Sequence, residues 1–325
     1  MFKTPSTKPI TALSLALAAL LATSCSSGSS TNSASSNTMS SYSNWVNSLS
    51  TTGYGVTQGS IFLFSNSDCP LFVGIFGSCF GNNPAAPYII PQLPIESAFV
   101  DPYYAQQLIE STPNGTPTDI IFRLSDHDAM ITLVAYPPKG AYFGYQSYVF
   151  STESSNYTSS DPLQVLSPDP ARYEIFGSIG NNINNTIIQN NYMTPWNGNM
   201  IMYITTSNQT LANDLISQAT ASGINPNSIF IEPIGANVKT GNGRDADDLV
   251  NLIRYAIPQD ASAGNAWLNN VTNNVVVYKV SNPNLSVTKY PTNQYTSRIG
   301  TTELQLQTQL DELAGLLQAW LAAQT

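Results

Sequence analysis

Apolar residues fall in short runs and alternations along the first half of the chain, and at helical spacing along much of the second. Ile61-Phe62-Leu63-Phe64 is a continuous apolar run of strand length, closed by Ser65-Asn66-Ser67-Asp68. The stretches 118–124 and 129–136 both read as strands. The polar Ser125-Asp126-His127-Asp128 between them predicts a β-hairpin. Pro137-Pro138-Lys139-Gly140 then turns the chain into 142–150, a strand dense in Tyr and Phe, and 173–179 reads as one more. Neighbouring strands with short connections predict an antiparallel sheet.

Beyond residue 200 the period changes. A strand at 200–205 leads to a helix that Ser207 or Asn208 can cap, with Ala212, Leu215, Ile216 and Ala219 on one face. Gly223 stops it and 229–231 supplies the next strand, which makes a βαβ-like unit. A second helix is expected over 245–256, with Leu249, Leu252, Ile253 and Ala256 inward, followed by a strand at 275–280. The last helix is expected over 302–322, with Leu306, Leu310, Leu313, Leu317 and Trp320 in register. The fold class is therefore α+β: an antiparallel-rich sheet in the first half, a βαβ-like unit and amphipathic helices in the second. These elements read as one globular domain over 53–325, and any subdomain break would fall near 180–200.

The N-terminus has a different logic. Lys3 and Lys8 precede an uncharged apolar run, 10–21, too short to cross a bilayer and ending in small residues, which is the make-up of a secretory signal over 1–24. At Leu21-Ala22-Thr23-Ser24-Cys25 the sequence resembles the lipobox of bacterial lipoproteins. That resemblance implies cleavage before Cys25, acylation of its sulfur and amine, and a place in the bacterial envelope, at the outer membrane or cell surface. Residues 25–52 are rich in Ser, Thr and Asn and nearly uncharged, and they read as a flexible tether. With Cys25 lipidated, Cys69 and Cys79 remain as an even pair in an oxidising compartment, where a disulfide is expected.

Charged residues make up only 10% of the 325, and the net charge is −9; loss of Lys3 and Lys8 takes it to −11. Such a chain cannot neutralise a phosphate backbone, so nucleic acid is excluded as a partner. Membrane attachment would fall to acyl chains, not to a basic patch.

The scarcity of ionisable groups narrows the chemistry. His127 is the one histidine, and a turn could gather it with Asp126, Asp128 and Arg123 as an acid–base group. Asp245, Asp247 and Asp248 open the expected second helix, where they suit its dipole and offer hard oxygen ligands to Ca2+. No other cofactor is implied: Gly241-Asn242-Gly243-Arg244-Asp245-Ala246 matches a dinucleotide fingerprint in spacing, but its acids would repel a pyrophosphate. Tyr142, Tyr145 and Tyr148 could line a pocket for sugars or small amphipathic ligands. The expected function is an exported, lipid-anchored envelope protein that binds a small molecule or a surface partner. The alternative is an exported hydrolase using His127 with Asp126 or Asp128 and Arg123.

Overall fold

A computed structural model describes residues 32–68, 70, 87–94, 110–111, 117–153, 172–192 and 196–292, together with 312, 315, 316, 319 and 320. Helix α1 (Asn32–Ser48) passes through a short 3-10 turn into strands β1 (Gly55–Gln58) and β2 (Ser60–Phe64). Strand β3 (Tyr88–Pro94), the brief β4 (Glu110–Ser111) and β5 (Pro117–Asp119) precede two long strands, β6 (Asp128–Ala135) and β7 (Gly140–Glu153). Next come β8 (Arg172–Ser178), the two-residue β9 (Ile183–Asn184) and helix α2 (Asn185–Tyr192). The remainder is β10 (Met200–Thr206), α3 (Gln209–Ala221), β11 (Ile229–Pro233), β12 (Asp248–Pro258), α4 (Ala261–Asn269), α5 (Val271–Asn274) and β13 (Val275–Ser281).

These strands form two mostly antiparallel sheets, in keeping with the α+β class. The first has the order β1-β13-β6-β10-β11. The second runs β4-β5-β3-β12-β7-β8, with β2 on β3 and β9 on β7. Face to face, the sheets enclose one core, drawn from Met130 and Val134 of β6, Phe143 and Val149 of β7, Ile201 of β10 and Ile253 of β12. The residues that alternate with these on β6 and β10, Ile131, Leu133, Met202 and Ile204, point the other way and pack under α1 and α3. Every residue of β6 and β10 is buried. The expected βαβ-like unit is present: β10 and β11 pair in parallel across α3, and Asn208 caps that helix through the N–H groups of Thr210 and Leu211.

Three local expectations are corrected. The tether reading fails from residue 32 onward, because α1 is helical and Met39, Tyr42, Trp45, Val46 and Leu49 are buried against the first sheet. Polar as it is overall, this helix carries one apolar stripe, and that stripe meets a sheet face that would otherwise lie open to water. The hairpin at 118–136 is not formed. Its turn exists, with the Asp128 carboxylate accepting the Ser125 N–H at 2.8 Å, but the arms enter different sheets. Phe122 bridges to Leu249, while β6 pairs with β10 and β13. The helix expected over 245–256 is strand β12, paired along its length with β7. Leu249, Ile253 and Tyr255 face the inter-sheet core, while Val250 packs in a separate cluster with Tyr148 and Phe150.

The signal segment, Cys25, the Cys69–Cys79 pair and most of the expected last helix lie outside the described residues. Of that helix, Trp320 is exposed.

Because the stripe on α1 completes the fold, replacing Trp45 with Ala should lower unfolding free energy by about 3–5 kcal/mol in urea titrations. An unchanged midpoint would return the segment to the status of a tether.

Candidate functional site

The Asp126–Asp128 turn does not assemble an acid–base group. Asp126 accepts hydrogen bonds from Lys289, Thr240 and Ser207. Burial alone would raise its carboxyl, but those three donors outweigh burial and hold it below its ordinary value. Asp128 lies 3.4 Å from Lys279. Arg123 is directed elsewhere. His127 is half-buried, held through its backbone by Ser125 and Asn282, and its Nδ1 has no hydrogen-bond partner. The four residues are close in sequence, yet each charged one is matched to a partner outside the group.

Arg123 instead meets Asp248. Its Nε donates to one carboxylate oxygen at 2.7 Å, and Arg172 reaches the other at 2.7 Å, with Ser151 donating to the same oxygen. The outer guanidinium nitrogens bond the carbonyls of Gly243, Arg244 and Ala246, which ties the 241–247 loop to the second sheet. All three charged side chains are buried, so this is a structural clamp. The other two acids of the expected Ca2+ set do not join it. Asp245 is exposed and paired with Lys239 at 2.9 Å, and Asp247 accepts the Lys239 backbone N–H at 2.8 Å. The three carboxylates are thus drawn to separate partners. Among the described residues no group of three or more His, Cys, Asp and Glu side chains is placed to hold a metal.

The tyrosines separate by strand alternation. Tyr145 is fully buried, stacked on Tyr203 with ring centroids 4.0 Å apart. Its hydroxyl lies 2.7 Å from that of Thr205, which donates to Glu232. Glu232 also accepts the backbone N–H and the hydroxyl of Ser147, so this buried carboxyl joins both sheets. Burial raises its pKa, and its hydrogen bonds oppose that shift only in part. Tyr148 sits on the opposite face of β7, stacked on Phe176, and Tyr142 is half-buried. The three do not line one cavity.

A cavity of about 450 Å3, open to solvent, lies where the turn before β7 meets α2, lined by Lys139, Gly140, Asn185, Gln189 and Trp196. Its volume falls in the range of small-ligand sites, about 300–1,000 Å3. Trp196 is fixed by its own turn. Asn197 and Gly198 both have positive φ, a conformation these two residue types tolerate, and their N–H groups donate to the carbonyls of Pro137 and Tyr136 at 2.8 and 2.7 Å. The Trp196 ring lies on Tyr136, 4.7 Å between centroids and 11° from parallel. Asn185 and Gln189 are four residues apart on α2 and so share a face. The Asn185 side-chain Oδ1 accepts the Phe143 N–H at 3.2 Å, which orients its amide.

Two polar or strained features lie near the cavity without lining it. The Tyr136 hydroxyl is fully buried, and burial raises its pKa; Gln189 is the polar group near enough to oppose that rise, yet no hydrogen bond of acceptable geometry reaches the oxygen. At the rim, Gly140 pairs with Pro258, beside Ile257, a β-branched residue that is 66% exposed with φ of 50°. Such strain is uncommon and tends to gather at functional positions.

None of the five lining residues figured among the candidates read from the sequence. The one usable signal was Asn197-Gly198, a turn dipeptide that places the preceding Trp. Compared with known protein families, curated proteins and solved structures, the chain matches none.

Two outcomes follow from the buried charges. Asp248→Ala should destabilise by about 3–5 kcal/mol, since two guanidinium groups lose their shared counter-charge; a urea midpoint within error of the parent would refute the clamp. Glu232 and Asp247 both have raised folded-state values, burial being the first cause in each. Their contribution to stability is full below the ordinary carboxylate range and is lost as pH rises through the folded-state values. Unfolding free energy should thus be lower at pH 8 than at pH 5, and Glu232→Gln should shrink that difference.

Proposed function

We propose that this is an exported protein, held at the bacterial envelope by a lipid on Cys25, whose folded body binds a small polar ligand beside Trp196. The observation that carries the binding role is the cavity. An indole set by its own turn, two amides on one helix face and a lysine ammonium converge on an opening of ligand size. The anchoring rests on the lipobox-like segment at 21–25, which implies an attachment that needs no basic patch.

Binding is preferred to hydrolysis on the pairing of charges. A hydrolase of the kind considered would need His127 within reach of a carboxylate that orients it, whereas Asp126 and Asp128 are engaged by Lys289 and Lys279.

A thermal-shift screen tests the binding role, since a ligand of the native state raises the melting temperature. Sugars, amino acids, nucleosides and small carboxylates would be offered to the parent chain and to Trp196→Ala. At least one class should shift the parent and leave the variant unmoved; no shift, or equal shifts in both, refutes the pocket. For the anchor, mass spectrometry of the mature protein should find Cys25 as an acylated N-terminus, and Cys25→Ser should release the chain from the membrane fraction.

A further inference from the structure

The lining of the cavity also constrains the chemistry of its occupant, on the reading that the cavity is a binding site. Trp196 has one face taken by Tyr136, so what it offers the opening is the opposite face and edge of the indole. An aromatic face is electron-rich and attracts the polarised C–H groups on one side of a pyranose ring. Asn185 and Gln189 supply donors and acceptors from a common helix face, and a hydroxyl, which both donates and accepts, can answer either. The mixture of an indole with two amides and an ammonium suits a ligand that has an apolar face and polar substituents.

Charge selects further. Among the described residues, Lys139 is the one charged residue that lines the cavity, and no carboxylate lines it. This stands out in a chain with 20 acidic and 11 basic residues. A cationic sugar would meet an ammonium, while a sugar acid would find the one complementary charge in the lining.

We infer that the Trp196 cavity takes a pyranose bearing a carboxylate, a uronic-acid unit of an anionic saccharide. The ring lies on the indole, its hydroxyls meet Asn185 and Gln189, and its carboxylate meets Lys139.

Isothermal titration calorimetry of the full chain with three probes tests this: a short oligogalacturonate, the matching neutral galactose oligomer, and a glucosamine oligomer. The oligogalacturonate should bind about fivefold more tightly than the neutral oligomer, as an exposed charge pair allows, and the glucosamine oligomer more weakly than either. The preference should fade at high salt. Lys139→Met should equalise the acidic and neutral probes without abolishing binding. Trp196→Ala should weaken both by about thirtyfold or more, with circular dichroism checking that the variant is folded and Trp196→Phe recovering part of the loss.

Equal affinity of acidic and neutral oligomers in the parent chain would overturn the acid selectivity. If no saccharide binds while an amino acid or nucleoside from the screen does, and that hit is lost in Trp196→Ala, the sugar inference falls and the pocket stands. Saccharide binding that survives Trp196→Ala unchanged would refute the site itself.

Discussion

Strands β6 and β10 are apolar on both faces, and the rest of the molecule is arranged to keep water from each of them. One face is met by the second sheet, the other by α1 and α3. A sheet with one solvated face would need only one partner layer; this one needs two. That requirement explains why a Ser- and Asn-rich segment folds at all. Helix α1 has little to recommend it by intrinsic propensity, but Tyr42, Trp45 and Val46 gain a surface that is already assembled, and tertiary burial supplies what propensity does not.

Between the sheets the same constraint has a polar counterpart. Thr205 lies on β10 among apolar neighbours and turns its hydroxyl to Glu232, which is bound in turn by Ser147 of the facing sheet. A buried acid of this kind costs stability through desolvation and returns part of it through hydrogen bonds, with the balance on the side of a raised pKa. What the network contributes is register: Tyr145, Thr205, Glu232 and Ser147 satisfy one another only if β7, β10 and β11 meet at one offset. The Asp248 clamp does the same for the 241–247 loop, which it closes over the second sheet.

How far this was legible from the chain depended on whether the deciding partner was local. The β10–α3–β11 unit was readable because Asn208, the Ala212–Ala219 face and Gly223 settle it within one segment. Strand β12 was not. Leu249, Leu252, Ile253 and Ala256 satisfy a helical period, while Leu249, Ile253 and Tyr255 equally satisfy a strand. The acids before them suit a helix start as well. In fact Asp248 is neutralised by Arg123 and Arg172, distant in sequence, and that pairing has no local signature. The hairpin failed for a related reason: a turn at Ser125–Asp128 fixes a change of direction, but not which sheet each arm joins. The cavity was hidden further still, since Lys139, Asn185 and Trp196 come from three separate segments and none is unusual in its own.

The fold of α1 also bears on where the cavity would sit relative to a membrane. Tyr42 donates to or accepts from Ser228, immediately before β11, and β11 begins opposite Met202 near the start of β10. Met200 pairs with Ala135, so that end of the first sheet is the one followed by Tyr136 and the cavity turn. From there α1 runs toward the far end, where Gly55 pairs with Ser281 and Ser281 with Asp128. Helix α1 therefore enters the structure at the end that carries the cavity. It begins seven residues after Cys25, a stretch that could extend at most about 25 Å. A flexible tether over 25–52 would let the body wander and face any way. A helix seated on the sheet, by contrast, fixes which end is nearest the proposed lipid, and that end is the one with Trp196. On this anchoring the cavity would be presented close to the envelope surface, where polymers belonging to that surface are more accessible than solutes far from it.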